Sequence, residues 1–317
     1  MYESLRRRLQ NREPILLDGA IGAELVRRGV RWRKHGLLTD AAAVEQLHSE
    51  YLAAGADVIR TNTFQLNPRI YLNVFRNREH MRHIGAPGLE ELTPRLLRTS
   101  VQLARQARAK AGREATVAIA GVLSPLEHCF RPDLAPPPDQ ARREHEALAR
   151  IFAEEKVDLL LLESMNTIAE ARAALEAARA TGLPVWVSFV LGPEGELLSR
   201  EPLEQAVREM ERGGADAVLV NCAPPEDVTR AVEKLRRVCS VPFGGFAHVG
   251  RFSPPSWKFE FFPQFIETDH WPAERYRVEA RRWRQSGATI LGGCCGTTPA
   301  HIAALRAELA DGRRATA

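Results

Sequence analysis

The sequence lacks any long apolar run. Its longest uninterrupted apolar runs, such as residues 159–162, are far shorter than the roughly 18 residues needed to cross a bilayer. The arginines at positions 6–8 are not followed by an apolar stretch either, so no secretory signal is predicted. We therefore expect a cytoplasmic protein with no membrane partner.

An excess of one charge and a large number of cysteines are also missing. The 44 basic and 40 acidic side chains leave a net charge of +4, and the basic residues form no cluster with interleaved aromatics, which argues against a nucleic-acid partner. An odd count of five cysteines argues against a disulfide framework and leaves metal binding or catalysis as their better use. These cysteines are Cys129, Cys222, Cys239, Cys294 and Cys295.

Short aliphatic runs alternate with longer amphipathic stretches, which is the pattern of repeated β-α units. Eight strands are predicted, at residues 15–18, 58–61, 117–122, 159–163, 185–189, 217–222, 241–246 and 289–293. Eight units use nearly the whole chain and predict an α/β fold, one (β/α)8 TIM barrel, as a single domain over residues 1–317. A doubly wound open sheet is the alternative, but residues 18–22 lack the third glycine of its phosphate-binding turn.

One segment, at about residues 250–272, interrupts this alternation and is predicted to be an insertion. The chain is only 7% aromatic, yet seven aromatic residues fall between Phe252 and Trp271. Long loops in compact domains are usually lids, binding loops or interfaces. Two interpretations stay open: a substrate-facing role, or a hydrophobic plug or subunit contact, which would include a homo-oligomer.

Barrel enzymes build their active sites at the carboxyl ends of the strands. Cys222 follows the sixth predicted strand and the Cys294-Cys295 pair follows the eighth. Three thiolates with one open position are typical of catalytic zinc. Both sulfurs of the pair can face one ion only where the strand has begun to turn, which the neighbouring glycines permit. The alternative is that the three cysteines pack in the core as small hydrophobes.

An open zinc position suits a thiol substrate, because the ion deprotonates a coordinating thiol. Asp18 and Glu163, at the ends of the first and fourth strands, could hold a cationic amino group of that substrate. For Glu163 the alternative is a buried carboxylate paired with the backbone or with an arginine, and for Asp18 it is an ordinary Asp-Gly turn. The apolar strand before Glu163 favours function, since an unpaired buried charge is costly.

Three motifs spread over nearly the whole chain are shared with a known family. They are residues 17–22 (Leu-Asp-Gly-Ala-Ile-Gly), residues 55–64, and residues 292–299 (Gly-Gly-Cys-Cys-Gly-Thr-Thr-Pro) with Asn221-Cys222 upstream. In these motifs the sequence resembles the homocysteine S-methyltransferase family. The resemblance implies a (β/α)8 barrel, a Zn²⁺ ion held by Cys222, Cys294 and Cys295, and homocysteine bound as a zinc thiolate and methylated to methionine. It also implies that Glu163 and Asp18 contact the amino-acid end of homocysteine; Asn62 and Ser188 are further substrate-binding candidates.

The methyl donors that the resemblance implies are S-methylmethionine, S-adenosylmethionine, betaine or, with further domains, a methylfolate acting through a cobalamin. Ser164 stands where betaine-using relatives place a tyrosine, and no folate or cobalamin domain is expected in this chain. A small sulfonium donor, S-methylmethionine or S-adenosylmethionine, is therefore favoured. Aromatic rings hold such a cation well, and Phe64, Phe252 and Trp257 are the predicted donor contacts.

One departure from the family pattern gives a hypothesis about the metal. The family usually has Pro-Asn-Ala-Gly after the seventh strand, whereas residues 247–250 here read Ala-His-Val-Gly. His248 would close the resting site as a fourth zinc ligand and be displaced by homocysteine. The alternative is a histidine that is hydrogen-bonded at the rim of the barrel.

Other functions stay open at this point. Betaine or a separate corrinoid or folate protein could supply the methyl group, and another thiol or selenol could accept it. A redox or metal-sensing module would use the Cys294-Cys295 pair alone, which leaves Glu163, Asp18 and Cys222 without a role.

Overall fold

The computed structural model describes residues 1–30, 36–74, 79, 82, 87–253, 264–266 and 270–314. Its described strands are β1 (Ile15–Leu16), β2 (Val58–Arg60), β3 (Ala118–Leu123), β4 (Leu159–Met165), β5 (Val185–Val190), β6 (Ala217–Asn221), β7 (Phe243–Phe246), β8 (Arg251–Ser253), β9 (Gln264–Ile266) and β10 (Ile290–Leu291). Eight of them form one sheet in the order β1-β10-β7-β6-β5-β4-β3-β2. A parallel bridge between Leu17 and Val58 joins the two outer strands, so the sheet is a closed barrel and the predicted TIM barrel is confirmed.

Helices surround the strands. The described α-helices are α1 (Tyr2–Gln10), α2 (Gly22–Arg27), α3 (Gly36–Thr39), α4 (Ala41–Ala53), α5 (Pro68–Val74), α6 (Thr93–Lys110), α7 (Pro138–Glu154), α8 (Ile168–Arg179), α9 (Leu203–Arg212), α10 (Pro225–Val238), α11 (Ala273–Gln285) and α12 (Pro299–Arg314). Their starts follow local chemistry: the Thr167 side chain caps α8 by accepting a hydrogen bond from the Glu170 amide at 3.2 Å. Proline lies in the first turn of α6, α7 and α10, where its missing N–H costs nothing.

The apolar strands feed two separate cores. In β4, Leu160 and Leu162 pack in the outer core between the strands and the helices, while Leu159 and Leu161 point into the barrel interior. This alternation follows from the two-residue period of a strand. A strand that is buried on both faces has to be apolar throughout, which accounts for the run at residues 159–162.

The amino-terminal end of the barrel is closed by α1. Leu5 and Leu9 of this helix belong to the interior core, and the indole N–H of Trp186 donates to the Tyr2 hydroxyl at 3.0 Å. Just before β2, Asp57 accepts hydrogen bonds from the Leu16 amide at 2.9 Å and from Arg306 at 2.7 Å. This end is therefore closed by α1 and held together by these hydrogen bonds, and the opposite end remains available for a site.

The aromatic segment holds more regular structure than a loop. β8 and β9 pair antiparallel, with Phe252 opposite Phe265, whereas the sequence predicts no strand there. Residues 254–263, which include Trp257, and residues 267–269 lie outside the described residues. No helix in the described part of the chain is both long enough and apolar enough to span a membrane.

Candidate metal and substrate site

Three cysteine sulfurs meet at the carboxyl ends of the strands. The Sγ atoms of Cys222, Cys294 and Cys295 all lie within 4.8 Å of one another. A tetrahedral zinc ion with Zn–S bonds of about 2.3 Å holds its sulfurs roughly 3.8 Å apart. The donor set therefore fits such an ion with little movement, and three thiols leave one coordination position for a substrate.

The backbone at each cysteine has already left the strand. Cys222 follows β6 with a left-handed φ of 54°, and the Cys294-Cys295 pair lies beyond the end of β10 in a turn that Gly296 completes with a φ of 80°. A Cβ atom on Gly293 would come within 2.2 Å of the Thr297 hydroxyl, so only glycine fits there. This is the turn that the flanking glycines predict.

Hydrogen bonds from neighbouring elements fix this turn. The Thr297 hydroxyl donates to the Cys294 carbonyl at 2.7 Å, and the Tyr276 hydroxyl of α11 donates to the Gly292 carbonyl at 2.7 Å. The Cys294 amide donates to Ala247 beyond β7 at 2.9 Å. The positions of both sulfurs are thus set by three different parts of the chain.

The three thiols hydrogen-bond to one another. The bonds from Cys222 and Cys295 lower the pKa of Cys294 well below its ordinary value, against the effect of burial and with help from the Arg60 cation. The bond to Cys294 is also the main reason that the pKa of Cys222 is raised well above its ordinary value. Of the three thiols, Cys294 is therefore the one most readily deprotonated.

A buried arginine lies between the two predicted carboxylates. Arg60, at the end of β2, donates from Nε to Asp18 at 2.6 Å and from Nη1 to Glu163 at 3.0 Å. Burial raises the pKa of Glu163 to about 7, although the Arg60 cation opposes this shift. Burial likewise raises the pKa of Asp18 against the same cation. The arginine pairing that the sequence leaves open for Glu163 is present.

Ser188 belongs to a buried polar chain rather than to an open surface. Its hydroxyl donates to the Asn221 side-chain oxygen at 2.6 Å, and the Asn221 amide nitrogen donates to the Ser164 hydroxyl at 2.7 Å. The same nitrogen lies 4.0 Å from the Cys294 sulfur. Ser188 is thus linked to the three-cysteine cluster through Asn221, and its contact with substrate stays a prediction.

A cavity of about 470 Å³ opens onto the three sulfurs. Its polar lining residues are the three cysteines, Arg60, Asn62, Glu163 and Ser164. Its apolar lining comes from residues in and around α2, after β2, on α5 and on β3, namely Ala20, Ile21, Ala23, Leu25, Val26, Val30, Phe64, Ile70 and Val122. Glu163, Asn62 and Phe64 therefore lie where the sequence predicts ligand contacts. Asp18 and Ser188 are not among the described lining residues.

His248 lies against the cluster. Its backbone amide donates to the Ala223 carbonyl at 3.1 Å. Burial lowers the pKa of its imidazole to about 4, an effect opposed by the negative charge on Cys294 and by a hydrogen bond with the Cys222 backbone. Among the described residues the close group of ligand atoms contains the three sulfurs and not His248, so its role as a fourth ligand stays a prediction.

The two remaining donor candidates lie in or near the aromatic segment. Phe252 is on β8, and Trp257 is outside the described residues. Their contacts with a donor stay predictions as well.

Sequence reasoning missed three residues at this site. Arg60 and Asn221 belong to the motifs shared with the family, yet nothing local shows that they bond to side chains from other strands. For Cys129 the sequence indicates no role, but it packs in the interior core together with Cys222 and Cys294. A buried arginine at a strand end, beside two candidate carboxylates, is the signal that would have identified Arg60.

Known proteins are similar to this chain over almost its full length. The model of the family described as homocysteine S-methyltransferase matches residues 15–309. The chain is 28% identical over 326 residues to betaine–homocysteine S-methyltransferase 1 of Bos taurus, covering 96% of this chain and 74% of the relative. It is also 28% identical over 323 residues to the S-methylmethionine–homocysteine S-methyltransferase of Rattus norvegicus, covering 96% and 81%.

A solved structure agrees with these relatives. The metallated form of the homocysteine methyltransferase MmuM from Escherichia coli superposes with a TM-score of 0.76 at 25% identity, over 96% of this chain and 99% of that one. The predicted resemblance is confirmed by the family match, which spans the barrel from β1 into α12. On this evidence the chain belongs to the homocysteine S-methyltransferase family and is a methyltransferase.

Proposed function

We propose that this methyltransferase carries a zinc ion on Cys222, Cys294 and Cys295 and moves a methyl group from a small sulfonium compound to homocysteine. The observation that carries the proposal is the cluster of three sulfurs within 4.8 Å of one another, in residues that line the same cavity as Glu163. When bound, zinc would hold the homocysteine sulfur as a thiolate at neutral pH. The remaining work falls to the chain's own side chains.

Glu163 is the proposed contact for the homocysteine ammonium group. It lines the cavity beside the cysteines, and a charge-assisted hydrogen bond to a carboxylate is strong in a buried site. Asn62 lines the same cavity and is proposed as a second polar contact. Because the acceptor would be held at its sulfur and at its amino group, its thiolate would have one direction of attack.

The apolar lining supports a sulfonium donor. Phe64 belongs to this lining, and an aromatic face attracts a cation more strongly where water is excluded. The names of the relatives do not choose between donors, since a betaine-using and an S-methylmethionine-using relative are equally similar, at 28%. S-Methylmethionine or S-adenosylmethionine stays our choice because Ser164 offers no ring at the position next to Glu163.

Alignment and exclusion of water are the proposed sources of rate. Holding two small reactants in line is worth about 7–11 kcal/mol of barrier. The loop after β3 contributes to the enclosure, because Cys129 and Phe130 are buried in the interior core with Cys222 and Cys294. Transfer turns a thiolate and a sulfonium into two neutral thioethers, so a dry site favours the reaction.

The test is methionine formation by the purified protein. Homocysteine is supplied with one donor at a time: S-methylmethionine, S-adenosylmethionine, betaine or methyltetrahydrofolate. We expect methionine with one of the two sulfonium donors, loss of activity after treatment with a chelator, and recovery with added zinc. Methionine from betaine alone would contradict the proposed donor, and no methionine from any donor would favour another thiol or selenol as acceptor. We also propose that residues 1–317 form a single domain and that the protein works in the cytoplasm.

A further inference from the structure

Arg60 makes polar contacts beyond its two salt bridges, which are with Asp18 and Glu163. Its side chain is only 5% exposed. Besides its bonds to Asp18 and Glu163, its Nη2 donates to the carbonyls of Gly19 at 2.6 Å and Gly293 at 2.8 Å. The guanidinium also lies over the ring of Phe246, 5.0 Å from its centre. One side chain from β2 therefore joins groups that follow β1 and β10 to a carboxylate on β4.

The two carboxylates beside Arg60 are used differently. Asp18 is fully buried, and both of its oxygens are occupied, one by Nε at 2.6 Å and the other by the Arg60 backbone amide at 2.9 Å. Glu163 gives Oε2 to Arg60 and lines the cavity. Only Glu163 therefore presents a carboxylate to a ligand, through the oxygen that Arg60 does not hold.

The bond to Gly293 connects this ion cluster to the cysteines. Gly293 directly precedes Cys294, and its amide donates to the Asp18 carbonyl at 3.1 Å. Arg60 donates a hydrogen bond to the Gly293 carbonyl. Replacing the guanidinium would therefore alter both the position of Glu163 and the turn that carries two of the three sulfurs.

We propose that Arg60 is a positioning residue that holds Glu163 for the substrate ammonium and the Cys294-Cys295 turn for the metal, and that Asp18 acts only through Arg60. The part that concerns the ammonium group rests on the proposed function. The part that concerns the cysteine turn does not depend on it. Asp18 is then an anchor for the arginine and does not touch homocysteine.

Charge balance gives this arrangement a distinctive signature. Asp18 has its charge compensated by Arg60, and removing one member of a buried ion pair leaves the other uncompensated. Arg60→Gln should therefore lower the stability of the fold. Adding Asp18→Asn to it should restore part of that stability. If Asp18 bound substrate directly, adding Asp18→Asn would instead remove affinity for homocysteine in either background.

The experiment measures metal and ligand binding without turnover. The wild-type protein and the variants Arg60→Lys, Arg60→Gln, Asp18→Asn, Glu163→Gln and Asp18→Asn/Arg60→Gln are loaded with cobalt, whose absorption reports the thiolate geometry. Zinc affinity is measured by competition with a chelator. Dissociation constants are measured for homocysteine and for 4-mercaptobutyrate, which keeps the thiol and the carboxylate but lacks the amino group. The dissociation constant for 4-mercaptobutyrate divided by that for homocysteine is the ratio that reports recognition of the ammonium group.

We expect Glu163→Gln to reduce this ratio about 10-fold or more, as for the loss of a charge-assisted hydrogen bond, while zinc affinity is retained. Arg60→Lys, which keeps the charge but not the fork of donors, should change the cobalt spectrum, weaken zinc binding and reduce the ratio. Asp18→Asn should leave the ratio within about twofold of wild type, because its amide oxygen can still accept a hydrogen bond from Arg60 and because Asp18 does not meet the ammonium group. The double variant should unfold at a higher temperature than Arg60→Gln alone.

Two results would overturn the proposal. One is a ratio that falls as far in Asp18→Asn as in Glu163→Gln, and the other is an Arg60→Lys protein with wild-type cobalt spectrum and zinc affinity. Should the wild-type protein not bind homocysteine at all, the proposed function fails, while the zinc and unfolding measurements still decide the role of Arg60. Arg306→Gln is the matched control: Arg306 also joins a carbonyl, Gly55, to a carboxylate, Asp57, but at the other end of the barrel. It should change stability only.

Discussion

At the scale of single residues, the backbone of Cys222 adopts an unfavourable conformation, and its thiol lies beside those of Cys294 and Cys295. Its φ of 54° is rare for a residue with a side chain and costs on the order of 1–3 kcal/mol. The surrounding contacts maintain it: the Cys222 amide donates to the Phe246 carbonyl at 3.3 Å, and its sulfur meets the other two. The strain is consistent with a site in which the direction of the thiol matters more than local stability.

Cys222→Ser should therefore lose the metal and keep the fold. A hydroxyl is a poor zinc ligand beside two thiolates, and serine is close to cysteine in size. We expect the zinc content measured by mass spectrometry to fall from one ion per chain to a small fraction, with the melting temperature of the metal-free protein unchanged.

Cys239→Ser is the control for that experiment. Cys239 follows α10, and its thiol donates to the Val241 carbonyl at 3.4 Å, away from the cluster. It should keep one zinc per chain. Full zinc content in Cys222→Ser would show that the three-sulfur site is wrong.

Asn221 gives a second prediction at this scale. Its amide group links Ser188 to Ser164 and lies beside the Cys294 sulfur, as groups behind metal ligands often do. Asn221→Leu keeps the volume and removes these bonds, so we expect zinc affinity to fall about 10-fold. Chelator competition measures the change. Ser188→Ala, which removes only the outer bond, should have a smaller effect, and unchanged affinity in Asn221→Leu would contradict this role.

The roles of single residues could be predicted from the sequence only where the chemistry is local. The three cysteines could be found because thiols beside glycines at strand ends are informative by themselves. Arg60 could not, because its partners are 42, 103 and 233 residues away in the chain. For the same reason the sequence gives Asp18 the character of a substrate ligand, although its oxygens are both taken by Arg60.

At the scale of elements, the turn between β10 and α12 is the least adaptable part of the site. Thr297 accepts a hydrogen bond from the Ala20 amide at 3.1 Å and donates to Cys294, so its hydroxyl cannot rotate away without losing both bonds. A methyl group on Gly293 would stand 2.2 Å from that hydroxyl and 2.7 Å from the Thr297 Cβ. The turn must therefore open if Gly293 is replaced.

Gly293→Ala should consequently lose zinc and also destabilise the protein. We expect a loss of about 1–3 kcal/mol, as for overpacking of a tight site, measured by urea unfolding, together with reduced zinc content. Gly22→Ala is the comparison, because a Cβ atom on Gly22 has no heavy atom within 4 Å, and it should keep its zinc. Wild-type stability and zinc content in Gly293→Ala would refute this account of the turn.

The barrel strands could be predicted to within about two residues, because buried strands are short apolar runs bounded by turns. The exact residue at which each strand ends could not be predicted, since contacts with side chains from other parts of the chain decide it. β1 stops at Leu16, before Asp18 turns to Arg60. β4 runs on to Met165 through Ser164, whose φ is 61° where the register with β5 shifts. The pairing of β8 with β9 could not be predicted, because each strand is only three residues long and so too short to show a periodic pattern.

At the scale of the whole molecule, the two ends of the barrel have separate tasks. The amino-terminal end is closed by α1 and held by Asp57, which binds Arg8, Arg306 and the Leu16 amide. The opposite end carries the sulfurs, the cavity and the left-handed backbones of Ser164 and Cys222. This division is general in TIM barrels. It lets a variant at one end be matched with a control at the other.

The last prediction concerns stability against acid. His48 in α4 is fully buried, and neither of its ring nitrogens has a hydrogen-bond partner among the described residues. Burial lowers the pKa of His48 from 6.5 to about 4. The unfolded chain therefore binds a proton between these two pH values and the folded chain does not, so the stability contributed at this position falls as the pH drops from 6.5 towards 4 and is constant above 6.5.

Between pH 7.5 and pH 5 this loss amounts to about 2 kcal/mol. Glu163 acts in the opposite sense, because its raised pKa of about 7 makes the folded state take up a proton first. The informative quantity is therefore a difference between proteins. Urea unfolding at pH 7.5 and pH 5 should show a smaller acid loss in His48→Leu than in wild type, by about 2 kcal/mol. His270→Leu, at an exposed position, should follow wild type; equal acid losses in all three proteins would rule out the burial of a neutral His48 as a cause of acid sensitivity.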